Sequence, residues 1–237
     1  MIISHQNRYL FVEIPHTAST AISNELCEKY GGERIYHKHE LYESFLRKAT
    51  PPEKDYFVFT CIRNPMDIVV TRYFKRKADH QGFFTNPEHW REYGGHLSRK
   101  ARREFEFIVS DRRDFEDYFL KFYKLPFDHR GSPHPKDFDF IIRFESLQND
   151  FSTLLRKLGI HQVRPIPLIN KTSGKEQNYI DCYSIKTRKR ASWVFGPCME
   201  LWGYEFPVDW QISHVPQVSR TLFYLIRYYR KKIHNFQ

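Results

Sequence analysis

Three short runs of this chain, residues 9–14, 56–62 and 138–143, are so dense in Phe, Val, Ile and Tyr that neither face of a strand made from them suits water. A half-exposed antiparallel strand alternates apolar and polar residues. A strand buried on both faces does not, and runs of this kind belong to parallel sheets covered by helices. Helical patterns lie between the runs. After the first, Ile22, Leu26 and Tyr30 recur every fourth position, and Gly31 and Gly32 end the pattern. After the second, Asn64 can cap, Pro65 fits a first turn, and Asp67 suits the positive end of a helix. After the third, Leu147, Phe151, Leu154, Leu155 and Leu158 form one face, and Gly159 closes it. This alternation predicts an α/β fold, a parallel sheet flanked by helices on both faces. The 237 residues, 41% of them hydrophobic with 21 Phe and 15 Tyr, provide core for a single domain over 1–237. Residues 80–103 are polar and Gly-containing, with Phe83, Phe84, Trp90 and Tyr93, and read as a lid-like insertion. Residues 215–237 read as a basic, aromatic helix. Packing through Leu222, Phe223, Ile226 and Tyr229 is expected of it in preference to membrane-surface contact.

Charge narrows the partner. There are 38 basic against 28 acidic residues, a net +10, which favours an anionic partner without choosing among nucleic acid, membrane, phosphorylated or sulfated ligands. The four cysteines, Cys27, Cys61, Cys182 and Cys198, are scattered, with no C-x-x-C spacing. Reduced thiols are expected, and no metal. The first ten residues lack a basic-then-apolar leader pattern, so a cytoplasmic protein is expected.

The first junction reads "FVEIPHTASTAI". The apolar run stops at Pro15, then His16, Thr17, Ala18, Ser19 and Thr20 lead into a helix. The first amides of a helix lack partners and the dipole adds positive potential, so such a junction is a ready anion site. Small residues let the backbone approach an oxyanion, and the hydroxyls add donors. The Walker form is absent: the stretch has neither its glycines nor a Lys-Ser/Thr pair. The second junction, "CIRNPMDIVVTRYF", places Arg63 at a strand's carboxyl end and Thr71 eight residues later, two turns into the next helix. Open α/β sheets bind ligands at such strand ends.

Together "PHTASTAI" and "IRNPMDIVVTRY" resemble the two nucleotide-binding motifs of sulfotransferases that use 3′-phosphoadenosine 5′-phosphosulfate. In that family P-K-T-[AG]-[ST]-[ST] binds the 5′-phosphosulfate. R-[ND]-P, with a Ser or Thr eight residues after the arginine, binds the 3′-phosphate. The likeness covers residues 7–206 and is strongest to the carbohydrate branch, in particular the heparan and uronyl 2-O-sulfotransferases, whose first loop also reads T-A-S-T. It implies a P-loop-NTPase-like fold and the phosphosulfate as donor, leaving adenosine 3′,5′-bisphosphate. It implies a hydroxyl acceptor, expected to be a carbohydrate, with no nucleic acid and no metal. On the matching positions it assigns His16, Thr17, Ala18, Ser19, Thr20, Arg63 and Thr71 to the donor, with Lys171 in "INKTSGK" a further contact and Lys175 a weaker one.

"IYHKHELYESF" resembles the H-x-H segment of the 2-O-sulfotransferases, where a histidine is the catalytic base. Sulfuryl transfer is an in-line displacement by a hydroxyl that must lose its proton, and an imidazole titrating near neutrality suits that task. His39 is assigned as base, His37 as its support, and Glu40 as the alternative base. The chain departs from the family at position 16, where His16 replaces a lysine that donates to the oxygen bridging phosphate and sulfate. His16 is expected to take that donor role. Two basic clusters, Arg99, Lys100, Arg102 and Arg103, and Lys186, Arg188, Lys189 and Arg190, read as solvated faces by default. The rival readings are a P-loop-like nucleotide kinase and a basic nucleic-acid-binding module. The first lacks its lysine and magnesium ligand, and the second lacks a reading motif.

Overall fold

The computed structural model describes residues 1–129, 133–169, 172–212 and 214–235, with side chains described as far as residue 232. In chain order the elements are β1 (Ile2–Ser4), β2 (Tyr9–Val12), α1 (Ser19–Lys29), β3 (Glu33–Arg34), α2 (Tyr42–Lys48), α3 (Pro51–Lys54), β4 (Phe57–Ile62), α4 (Pro65–Lys77), α5 (Arg99–Ser110), α6 (Phe115–Phe122), β5 (Phe140–Arg143), α7 (Leu147–Lys157), α8 (Ile185–Trp202) and α9 (Gln217–Asn235). They fall into two compact units, one of residues 1–64 and 130–170, the other of 65–129 and 171–237.

The first unit is built on a sheet of order β3-β1-β2-β4-β5. The three expected strands are its parallel core: β2 pairs with β4 and β4 with β5, both parallel. The remaining two, β1 and β3, pair antiparallel at one edge, so the sheet is mixed. They are three and two residues long, too short to carry a periodicity, and β3 is exposed. Successive side chains of a strand point to opposite faces. Here that sends Tyr9, Phe11, Phe59, Cys61 and Ile142 against Ile22 and Leu26 of α1 and Phe151, Leu154 and Leu155 of α7. Leu10, Val12 and Val58 go to the other face, against Phe45 and Tyr42 of α2. Both faces are therefore apolar and covered, which is why the runs show no alternation. Gly32 closes α1 by donating its N–H to the Leu26 carbonyl at 3.0 Å. A Cβ there would lie 2.6 Å from Ile2 Cγ2, so this turn accepts no side chain.

The second unit packs α4, α5, α6, α8 and α9 around rings, with Phe119 and Tyr183 touching each other and each touching both Phe115 and Phe195. Arg76 pairs with the buried Glu104 at 2.8 Å. Residues 80–98 form three short 3-10 turns, but the expected insertion ends earlier than 103, because α5 begins at Arg99. The basic cluster there lies on the first turns of a helix. Arg99 and Arg102 both pair with Glu92, and Arg102 lies 3.9 Å above the Trp90 ring. On α9, Phe223 is buried as expected, whereas Tyr229 is 61% exposed. The inner stripe continues instead through Ser219 and Arg227, and Arg227 pairs with Asp128 at 2.5 Å. A charged side chain replaces the tyrosine there because a carboxylate waits for it. Among the described residues no helix is long and apolar enough to cross a membrane.

Candidate functional site

The first loop leaves the end of β2 and turns sharply twice. His16 and Ala18 both adopt left-handed backbone conformations, with φ of 67° and 61°. Ala18 is the N-cap of α1, and its carbonyl accepts from the Ala21 and Ile22 amides at 2.9 and 3.1 Å. The Ser19 and Thr20 amides thus precede the first intrahelical bond. A left-handed residue followed by a helical one turns successive N–H groups toward one concavity. The hydroxyls do not act alike. Thr17 is fully buried, and its Oγ1 donates to the Ile14 carbonyl at 2.8 Å, so this side chain braces the loop from within. Ser19 is buried, and Thr20 is half-buried. The Lys38 ammonium donates to Thr20 Oγ1 at 2.6 Å.

The parallel register of β2 and β4, which ends at Val12 opposite Thr60, brings the two strand exits side by side. Arg63 is thereby delivered to the first loop, where its Nη1 donates to the His16 carbonyl at 3.4 Å. Its guanidinium lies 4.0 Å from the centre of the Phe144 ring, just past β5. The next residue, Asn64, donates its amide to Glu145 at 2.8 Å.

The H-x-H segment approaches the same loop. His39, at φ 62°, has Nδ1 3.2 Å from the carbonyl oxygen of Glu13, the residue that opens the first loop. A carbonyl only accepts, so Nδ1 carries the proton and Nε2 keeps its lone pair. Burial pushes the His39 pKa below its ordinary value, against the pull of the Glu13 carbonyl. The ring is then neutral at neutral pH. His37 is exposed, and no hydrogen bond to His39 is found among the described residues; the carbonyl of Glu13 holds the ring instead. Glu40 accepts from Ser44 at 2.7 Å in the first turn of α2.

In the second unit Thr71 is buried on α4, one turn after Asp67. Lys175 donates to Thr71 Oγ1 at 3.2 Å and forms a short ion pair with Asp67. Lys171 lies outside the described residues. Lys186 pairs with Glu116 at 2.8 Å, and Arg188 faces the Trp210 ring at 5.2 Å. All four thiols are free, and burial drives those of Cys61 and Cys198 upward, which leaves them unreactive. Among the described residues no group of three His, Cys, Asp or Glu is placed to hold a metal ion.

Sequence reasoning did not bring out Lys38 or the stack of Arg63 on Phe144. Lys38 stands inside the quoted H-x-H segment, but nothing local tells which residue its side chain meets. Phe144 and Glu145 directly follow the third apolar run, at the same strand ends as the two loops.

The model of the Sulfotransferase family matches residues 1–195, a stretch that includes both junction motifs, the H-x-H segment and the insertion. No curated protein and no solved structure matches. With more than half of its length inside the family model, and with strand-exit loops of the kind described, the chain belongs to the Sulfotransferase family.

Proposed function

We propose that this sulfotransferase uses 3′-phosphoadenosine 5′-phosphosulfate as donor and a carbohydrate hydroxyl as acceptor, with His39 as base. The observation that carries the proposal is the bond from His39 Nδ1 to the Glu13 carbonyl, which sets a neutral imidazole at the mouth of the first loop. The groups around that loop suit a polyanion: the Arg63 guanidinium, the Lys38 ammonium, the Thr20 hydroxyl and the first amides of α1. When bound, the donor supplies a sulfuryl group: the acceptor oxygen bonds to sulfur, the S–O bond to the 5′-phosphate breaks with its electron pair on the phosphate oxygen, and the hydroxyl proton must leave.

His39 Nε2 takes that proton, because Nδ1 is committed to the carbonyl and the ring starts neutral. Thr17 keeps the loop in shape through the Ile14 carbonyl, so that Ala18, Ser19 and Thr20 present amides to the 5′-phosphosulfate. Arg63 and Thr71 are assigned to the 3′-phosphate by their spacing in the second motif, with Lys171 as a further contact. His16 adds an imidazole donor at the motif's lysine position. The carbohydrate acceptor is supported by the T-A-S-T and H-x-H segments and by the net charge of +10, which suits an anionic glycan.

The test is calorimetric titration with adenosine 3′,5′-bisphosphate in chelator, followed by transfer of labelled sulfate to desulfated glycans and to phenols. Magnesium-independent binding and glycan labelling are expected. Binding that needs magnesium would refute the donor assignment, and labelling of phenols alone would refute the acceptor class.

A further inference from the structure

We infer that Lys38 is a catalytic residue of this site, the permanent cation that meets the phosphosulfate group from outside the first loop. The inference rests on the donor reading above and deepens it. Residues 13–20, "EIPHTAST", contain no Lys or Arg, and the loop's own basic side chain is an imidazole. A sulfuryl transfer leaves negative charge on the oxygen between sulfur and phosphorus, and a fixed positive donor aimed there is a large catalytic contribution. The fold brings such a donor from a separate segment. Lys38 Nζ lies 2.6 Å from Thr20 Oγ1, on the first turn of α1, where the helix amides and dipole already favour an anion.

Two anchors set that position. His39 is tied to the Glu13 carbonyl at one end of the loop, and Lys38, the neighbouring residue, is tied to the Thr20 hydroxyl at the other. The H-x-H segment thus spans the loop mouth, with its base and its cation on adjacent residues. An ammonium has three donors, and Thr20 uses one, so the group can hold the hydroxyl and an anhydride oxygen together. Thr20 orients the ammonium and need not itself touch the donor. The role proposed for Lys38 is electrostatic, since the bond that breaks leaves a phosphate oxygen that needs charge but no proton. The same logic explains how position 16 tolerates a histidine: the charge that a loop lysine would carry arrives from position 38.

The experiment compares wild type, Lys38→Met, His16→Lys and Lys38→Met/His16→Lys, with Lys157→Met as a surface control, since Lys157 is exposed on the last turn of α7. Two readouts are taken: the dissociation constant of adenosine 3′,5′-bisphosphate by calorimetry, and single-turnover sulfate transfer. Lys38→Met is expected to weaken bisphosphate binding about tenfold and to slow transfer about 100-fold, with restoration to within about tenfold of wild type in the double variant. Binding and transfer by Lys38→Met within twofold of wild type would overturn the assignment. A deficit that His16→Lys leaves untouched also overturns it, because Lys38 then serves the loop and not the charge. Wild-type protein that binds no bisphosphate refutes the underlying donor reading, a result seen before any variant is made.

Discussion

Arg63→Met separates the bracing contacts that the Arg63 side chain makes in the structure from the 3′-phosphate role proposed for it. In the structure the guanidinium lies 4.0 Å from the centre of the Phe144 ring, and among its hydrogen bonds is a long one, 3.4 Å, to the His16 carbonyl. The stack is worth about 1 kcal/mol at a half-buried site, and the long bond about 0.5 kcal/mol. Methionine keeps an unbranched stem and recovers about 0.5 kcal/mol through its sulfur against the ring. From these two contacts the net loss is about 1 kcal/mol, a drop in Tm of about 2–4 °C for a chain of this size. Ligand affinity responds more. Losing a charge-assisted bond to phosphate costs about 1.5–3 kcal/mol, or about 10- to 150-fold in Kd. The assay is calorimetry with two ligands, adenosine 3′,5′-bisphosphate and adenosine 5′-monophosphate, which lacks the 3′-phosphate. Arg63→Met is expected to weaken the bisphosphate by that factor and the monophosphate by less than about threefold, the share owed to the His16 carbonyl. Arg63→Lys should fall between, because it keeps charge but loses the planar fork. Equal weakening of both ligands would refute the 3′-phosphate role and leave Arg63 as a brace of the first loop.

Two further outcomes are expected. His39→Ala should lower kcat/KM about 10²- to 10⁴-fold; because burial depresses the His39 pKa, the wild-type rate should rise through a midpoint below the ordinary histidine value of about 6.5 and stay level above it, and a midpoint above about 7 would contradict the neutral, carbonyl-bound ring. Lys175→Met strips the ammonium from the buried Asp67 and should cost about 2–4 kcal/mol in urea unfolding, with over half recovered in Lys175→Met/Asp67→Asn; an unchanged unfolding midpoint in the single variant would deny the pair.

The parallel core was legible because its signal is local and doubled. Tyr9, Phe11 and Phe59 go to one face and Leu10, Val12 and Val58 to the other, and both faces are covered, so density replaced alternation. The edge strands β1 and β3 were not legible, since three and two residues carry no period. The family could be read from the two junctions because the small residues and the R-N-P triplet answer a demand of the strand–loop–helix itself. The behaviour of single hydroxyls could not. Thr17 and Thr20 look alike in "HTAST", yet one is turned inward onto the Ile14 carbonyl and the other outward onto Lys38. That difference comes from the left-handed turns at His16 and Ala18, which no side-chain pattern announces.

The sequence by itself determined the three core strands, the helices that follow them and the two strand–helix junctions that carry the family motifs, because each depends on neighbours along the chain. Only the tertiary structure decided which nitrogen of His39 is bare, which carbonyl Arg63 takes and where Lys38 points. Those facts depend on Glu13, His16 and Thr20 meeting residues 26, 47 and 18 positions away in the chain, and such separations are closed by packing and not by pattern.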